Sequence, residues 1–362
     1  MLNVMHFVSK MDRAGQETFI MNLFRKIDRS KIQFDFLCTD NGVGDYDEEI
    51  VSLGGRIYYI PPIKLQGPLK QGEKFFSLIS VLRKHRCDVF HIHTHHAMDA
   101  FRDALAAKVA GIKTVVVHSH NTSALFHLQA HGLFKKLLSI LPVRRFACSK
   151  AAGEWLFTDY NFSVIHNGLD VDDIYFREAL RLKVRDRMGW SGKKIIGHVG
   201  RFNEQKNHRF IIEVFAEIFS RDPSTHLVLV GKGELEEEIR ALVEKRGLTD
   251  AVSFLGIRDD VQRLYQGMDL FLFPSLFEGL GIVLIEAQAC DLPCLVSDAI
   301  PQEAILTSRT VSKLTHSTAE WATEALHLLN QSESRGDNRN VLKEAGYDIG
   351  VLANNLEKVY LG

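Results

Sequence analysis

Between Phe273 and Gln288 the chain reads FPSLFEGLGIVLIEAQ. Its two carboxylates, Glu278 and Glu286, stand eight positions apart with two glycines between them. Pro274 stops one apolar run and a second begins after Gly281, a pattern that predicts a strand, a tight turn and a helix from about Ile282. Gly279 and Gly281, with Leu280 between them, let the backbone approach a ligand closely, and the first turn of that helix points free N–H groups at an anion. A carboxylate repels bound phosphate, so two of them fit only a ligand that also carries hydroxyl donors. A nucleotide sugar has that form: ribose hydroxyls at one end, sugar hydroxyls at the other, a diphosphate between. Taken singly, Glu278 reads as a helix N-cap and Glu286 as an exposed helix acid; together with the glycines they read as a site.

A second anion site is predicted in HVGRFNEQKNH, His198–His208. Gly200 closes a strand, Arg201 and Lys206 project from the loop that follows, Asn203 lies between them, and a helix starts near Asn207. Two cations beside a helix N-terminus add their charge to its dipole. Solvated loop cations are the plainer alternative, and the position just after a strand argues against it. Histidines gather in the first half. VVVHSHNTS places His118 and His120 where a strand runs out, and HIHTHH carries His91, His93, His95 and His96. Alternate strand residues share a face, so a metal centre is one reading of the second group, but no acids accompany it. Polarity at a cleft-facing strand end is the expectation, with no metal and no cofactor. Cysteines 38, 87, 148, 290 and 294 are scattered and odd in number, and Cys290 and Cys294 have no second pair to complete a zinc site.

Elements must carry these loops. A chain of 362 residues, 46 % apolar and 25 % charged, calls for two domains. In the first half the apolar runs LNVMHFV, QFDFLCT, RIYYIP, DVFHIHTHH, TVVVHSHNT and RFACSK alternate with helical patterns. In the second, KIIGHVG, THLVLVG, VSFLG, LFLFPS, CLVSD and TVSKL do the same. Continuous apolar strands separated by helices predict parallel sheets covered on both faces. The expected architecture is α/β, two doubly wound Rossmann-like domains facing across a cleft. The first spans 1–166 plus a returning C-terminal helix over 346–362, and the second spans 167–345. The turn at Asn167-Gly168 marks the boundary.

With these motifs in place, the chain resembles the family 4 retaining glycosyltransferases of the GT-B fold. Glu278–Glu286 spells their E-x7-E pattern, joined by VGRF…K, IHNGLD and FPSLFEGLGIVLIEA, and the likeness covers nearly the whole chain. The first half is similar to members that build capsular or extracellular polysaccharide. The resemblance implies a metal-independent transfer of a hexosyl unit, with retention, from a nucleotide-sugar donor of UDP type to a saccharide or lipid-linked acceptor. It assigns the acceptor to the first domain and the donor to the second. Arg201 and Lys206, with Gly200 and Asn203 in their loop, would hold the diphosphate. Glu286 would bind ribose, Glu278 the transferred sugar, and the backbone from Gly279 to Ile282 both phosphate and sugar. Ile257 and Arg258 would lie against the base. The family's first loop carries two glycines, a small residue and an acid; here RAGQET keeps Gly15 and Glu17, replaces one glycine by Ala14 and brings in the larger Gln16. The family's sugar-contacting histidine falls on His118 or His120, with His118 favoured because it comes first.

Charge divides unevenly. Residues 1–150 hold 21 Lys+Arg and 13 Asp+Glu, a balance of +8, and the remainder hold 23 and 32, a balance of −9. A basic half suits an anionic acceptor or membrane surface; a drift of surface charge between domains is the alternative. HGLFKKLLSILPVRRF, His131–Phe146, is basic and amphipathic, so it either packs on the core or lies in a membrane interface. The N-terminal MLNVMHFVSKMD lacks a signal-peptide core and reads as a strand. The expectation is a cytoplasmic enzyme with peripheral contact at the inner face of the plasma membrane and no nucleic-acid partner. No G-x-G-x-x-G turn supports a nicotinamide enzyme; a nucleotide-sugar epimerase of related two-domain form is the remaining alternative.

Overall fold

The computed structural model describes residues 1–122, 128–159, 161–313, 317–331 and 334–362. The chain forms two compact units, Met1–Gly168 with Asp348–Gly362, and Leu169–Tyr347.

The first unit holds a seven-stranded sheet of β1 (Leu2–Val8), β2 (Ile32–Cys38), β3 (Ile57–Tyr59), β4 (Val89–Thr94), β5 (Thr114–Ser119), β6 (Arg144–Ala147) and β7 (Ser163–Val164). Their order is β3-β2-β1-β4-β5-β6-β7, with every pairing parallel. β7 is absent from the apolar runs read in the sequence, because two residues are too few to show a period. Side chains alternate between faces. Val4, Val8, Val89, Val116 and Phe146 point into one cluster with the helices Gly15–Lys26 and Ile349–Leu361, while Met5, Phe7, Phe90, Val115 and Val117 face another. The C-terminal helix buries Ile349, Leu352, Leu356 and Tyr360 in the first cluster. Gly168 allows its close packing, since a Cβ there would lie 2.5 Å from Leu352 Cδ1.

The second unit is built alike, from β8 (Lys194–Val199), β9 (Thr225–Val230), β10 (Val252–Phe254), β11 (Leu270–Phe273), β12 (Cys294–Ser297) and β13 (Thr310–Lys313) in the order β10-β9-β8-β11-β12-β13. In each sheet the winding reverses once, between β1 and β4 and between β8 and β11. Doubly wound sheets bind ligands beyond the carboxyl ends of the strands at that reversal. The loops after β8 and β11, each singled out from sequence, flank the reversal of the second sheet.

Candidate active site

In the second unit the loop after β8 leaves through Gly200, where a Cβ would stand 2.9 Å from His198 Nε2 and 3.1 Å from Lys206 Cγ. A short 3-10 turn, Glu204–Lys206, follows; the Asn203 side chain caps it by accepting from the Lys206 N–H at 3.1 Å. Asn207 takes the left-handed conformation (φ 56°) and the helix His208–Arg221 begins. Three hydrogen bonds fasten this loop to the one after β11. The Leu276 N–H donates to Gln205 O (2.8 Å), Gln205 Nε2 to Phe277 O (2.9 Å) and Asn207 Nδ2 to Pro274 O (3.3 Å).

This fastening brings Lys206 Nζ to 2.5 Å from Glu278 Oε1, with only 15 % and 7 % of the two side chains exposed. Lys206 Nζ also lies 4.9 Å from the centre of the Phe273 ring. Beyond Glu278 the buried residues Gly279 and Leu280 lead to Gly281, whose φ of 81° favours glycine, and Gly281 caps the helix Ile282–Ala289. Glu286, in that helix, is buried and accepts a hydrogen bond from the Tyr265 hydroxyl at 3.1 Å. Burial pushes its carboxyl up to about 7, against the opposing pull of the Tyr265 bond. Glu286 is therefore not the exposed helix acid of the plainer reading.

Arg201 does not join Lys206. Its side chain is 70 % exposed and its Nε lies 3.2 Å from Glu234 Oε2. Arg258 makes a two-point contact with Asp260, both distances 2.7 Å, while Ile257 is exposed. One segment of this site escaped the sequence reading: Gly231–Glu234, after β9. Gly231 (φ 134°) abuts Gly200 so tightly that a Cβ would lie 2.1 Å from the Gly200 carbonyl oxygen. The Phe202 N–H donates to Lys232 O (3.1 Å) and the Leu235 N–H to Phe202 O (3.0 Å). A second G-x-G after a strand, GKG, was the available signal. Tyr265 carried no signal, since its partner lies in another element.

In the first unit the helix Gly15–Lys26 follows Ala14, whose φ of −130° is extended backbone that any residue adopts. Replacing the family's glycine there therefore causes no strain. Gln16 Nε2 donates to Glu17 Oε1 (3.0 Å), and burial lifts the Glu17 carboxyl to about 7. The histidines fall on one face of the sheet by strand alternation, and they form two chains. Tyr360 Oη lies 2.7 Å from His91 Nδ1, and His91 Nε2 lies 3.3 Å from His118 Nδ1. His6 Nδ1 lies 2.9 Å from His93 Nε2, and His93 Nδ1 lies 2.8 Å from His120 Nε2. Desolvation lowers every one of these rings, His6 and His120 to about 3, so all are neutral. His118 is fully buried, whereas His120 keeps partial exposure. Neither ring offers an exposed nitrogen: His118 Nε2 and His120 Nδ1 are both buried, and His120 Nε2 is held by His93. His95 is exposed, and His96 caps the helix Ala97–Val109 by accepting from the Met98 N–H (3.2 Å).

Among the described residues, the trios His6/His91/His93 and His93/His118/His120 each bring three ring nitrogens within 4.8 Å, close enough to hold a metal ion. Against that, both nitrogens of His91 and of His93 already have hydrogen-bond partners. All five cysteines are free thiols. Cys290 Sγ donates to Ile174 O and Cys294 Sγ to Leu292 O, neither in a metal cluster among the described residues.

Residues 13–173 match the model of Glycosyltransferase Family 4, and residues 182–348 that of Glycosyl transferases group 1. EpsF of Bacillus subtilis (strain 168), whose name gives it as a glycosyltransferase, is 36 % identical over 97 % of this chain and 95 % of its own. The UDP-Gal:alpha-D-GlcNAc-diphosphoundecaprenol alpha-1,3-galactosyltransferase of Escherichia coli is 25 % identical over 79 % of this chain and 76 % of its own. HepE of Anabaena, solved with UDP and glucose, superposes with a TM-score of 0.80 at 17 % identity over 99 % of each chain. Fold and site define a glycosyltransferase of the GT-B class. The chain belongs to glycosyltransferase family 4, which displaces the epimerase alternative.

Proposed function

We propose that the chain moves a hexosyl unit from a UDP-sugar to a saccharide or lipid-linked acceptor, with retention of configuration and without a metal, in the synthesis of a cell-surface polysaccharide. The observation that carries this reading is the Lys206–Glu278 pair held beside the Gly279–Gly281 turn. An ammonium has three donors, so Lys206 can hold Glu278 with one and a diphosphate with the others. When the bond from the anomeric carbon to the diphosphate oxygen breaks, negative charge gathers on the departing phosphate. Lys206 and the N–H groups at the start of the helix Ile282–Ala289 are set to stabilise it. Arg201 adds to them by turning from Glu234, because an exposed pair of that kind is worth only about 0–1 kcal/mol. Glu278 then accepts from a sugar hydroxyl, and Glu286 from the ribose.

Support for the donor comes from HepE, solved with UDP and glucose, and from the Escherichia coli relative, whose name gives UDP-Gal as donor and a diphosphoundecaprenol acceptor. We assign the acceptor to the first unit and the sugar-contacting histidine to the pair His118 and His120. No described helix is long and apolar enough to cross a membrane. In the helix Leu128–Ser139 and the turn after it, Phe134, Leu138 and Leu141 pack on the core while Leu133 and Ile140 stay exposed beside Lys136 and Arg144. That exposed set is the part that would meet an anionic bilayer. The test of the donor site is nucleotide release from a panel of UDP-, GDP- and ADP-sugars. Release from a UDP-sugar, abolished in Glu278→Ala and Lys206→Ala, is the expected outcome. Silence on every donor together with no binding by calorimetry would overturn it.

A further inference from the structure

An ionised carboxylate offers about four lone-pair sites, and inside a fold each one left empty is costly. Among the described residues Glu286 has one of them filled, by the Tyr265 hydroxyl at Oε2 (3.1 Å). Oε1 has no partner there, yet it is not sealed from solvent, and 8 % of Glu286 stays exposed. Nor does the pair serve stability. Burial opposes the ionised carboxyl and the Tyr265 bond offsets only part of that, so a neutral side chain would fill the space at less cost. Two neighbouring hydroxyls of a ribose are the donors that the open lone pairs lack.

Tyr265 is placed to aim that carboxylate. It is fully buried on the helix Val261–Gly267, its ring edge-on to Phe271 with centroids 5.7 Å apart. Its carbonyl accepts from Arg335 Nη2 (3.1 Å). The same guanidinium donates through Nη1 to Gln266 O and Met268 O (3.1 Å each) and through Nε to Cys290 O (2.8 Å). Cys290 ends the helix Ile282–Ala289, so one side chain ties the helix of Tyr265 to that of Glu286 and sets their spacing. Burial holds the Tyr265 phenol far above its ordinary pKa, so toward an ionised Glu286 it donates. We propose that Tyr265 is a positioning residue for donor binding, whose hydroxyl occupies Oε2 and turns Oε1 of Glu286 to the ribose hydroxyls. This role rests on the ribose contact put forward above and lies wholly within the second unit. Of the elements packed on the Glu286 helix, β11 brings no ionisable group, β12 brings Cys294, and the turn Gln302–Ala304 brings Glu303. Burial holds the Cys290 thiol at about 12 and Cys294 higher still, so both are neutral, and Arg177 and Arg335 act on Cys290. Burial and the Tyr265 bond are what place the Glu286 carboxyl.

The experiment is a double-mutant cycle of UDP affinity by calorimetry on the full chain, followed as a function of pH. It compares wild type, Tyr265→Phe, Glu286→Met and the double variant. Tyr265→Phe keeps the ring and its contact with Phe271, and is expected to weaken UDP about three- to tenfold at neutral pH. Wild-type affinity should develop as pH rises and Glu286 ionises, and Tyr265→Phe should move that midpoint upward, because the lost bond favours the ionised form. The terminal phosphate of UDP titrates alike in both proteins and drops out of the comparison. Methionine offers no acceptor, so in the Glu286→Met background Tyr265→Phe should change affinity less than about twofold. Equal weakening in both backgrounds would make Tyr265 a mere support of its helix and overturn the proposal, as would a pH midpoint that Tyr265→Phe leaves in place. Where Glu286→Met binds too weakly to measure, the midpoint decides alone. UDP weakened by Glu286→Met and untouched by Tyr265→Phe would sink the Tyr265 role and leave the donor site standing. UDP bound by Glu286→Met as tightly as by wild type, or not bound by wild type at any pH, would remove the ribose contact and the Tyr265 role with it.

Discussion

Glu286→Gln should make the protein more stable in a pH-dependent way while weakening its hold on donor. The structure sets the size of the effect. Burial raises the Glu286 carboxyl from its ordinary 4.5 to about 7. A carboxyl whose folded pKa lies above its unfolded one favours the folded state below about 4.5, and that advantage is lost as pH rises through about 7. Each pKa step is worth about 1.4 kcal/mol. At pH 8 the ionised group therefore burdens the fold by about 3 kcal/mol, and at pH 5 by about 1 kcal/mol. Glutamine cannot ionise, so the variant gains about 2 to 2.5 kcal/mol on wild type between pH 5 and pH 8. The cost of burying the new amide is the same at both pH values and drops out of that difference. Glu17, also raised to about 7, titrates alike in both proteins and drops out as well. The assay is urea unfolding of both proteins at the two pH values, following the transition of the second unit. In thermal scans the same gain appears as roughly 4–10 °C for a unit of this size. Donor KM should rise at least tenfold in the variant. A stability difference independent of pH would refute the reasoning, because it would mean that Glu286 ionises freely where it sits.

Lys206→Met strands the Glu278 carboxylate and should cost about 2–3 kcal/mol, toward the lower end of the range for a broken buried pair since Lys206 is partly exposed. Denaturant melts of Lys206→Met/Glu278→Gln should recover most of this, while kcat stays down by about 100- to 1,000-fold in both because the leaving phosphate has lost its cation. Gly281→Ala imposes φ 81° on a residue with a Cβ, which would also lie 3.0 Å from Phe273 Cε1; stability should fall by about 1–2 kcal/mol, read by thermal melts, with weaker donor binding by calorimetry. Wild type should co-sediment with anionic vesicles at low salt and lose that binding in Leu133→Asp/Lys136→Glu; equal binding of the two would remove the membrane face.

The alternation of strands and helices was legible because every strand but one sits in a local apolar run, and β1, β2, β4, β5, β8, β9, β11 and β12 are buried over most of their length. Short β7 was the exception. The glycine turn at Gly279–Gly281 and the helix from Ile282 were legible for a similar reason: a φ of 81° is a demand on one residue, and sequence displays it. His91 and His93 could be placed on one face from strand period alone.

Partnership was another matter. The sequence set Arg201 and Lys206 side by side as equivalent cations, yet the structure buries one against Glu278 and leaves the other exposed with Glu234. That choice follows from Gln205 and Asn207 bonding to the loop after β11, a contact created by the adjacency of β8 and β11. Glu286 was read as a site residue, but its enclosure, with the Tyr265 hydroxyl donating to it, was not legible because Tyr265 lies in another element. That the returning helix would bring Tyr360 to His91 was likewise not legible, since the two lie 269 residues apart. By itself the sequence determined which segments become strands, helices and tight turns, since those depend on period, apolar content and single-residue dihedrals. The tertiary structure alone decided which charges are paired and which carboxyl is desolvated, because each of those depends on what a crossover or a register places opposite a side chain.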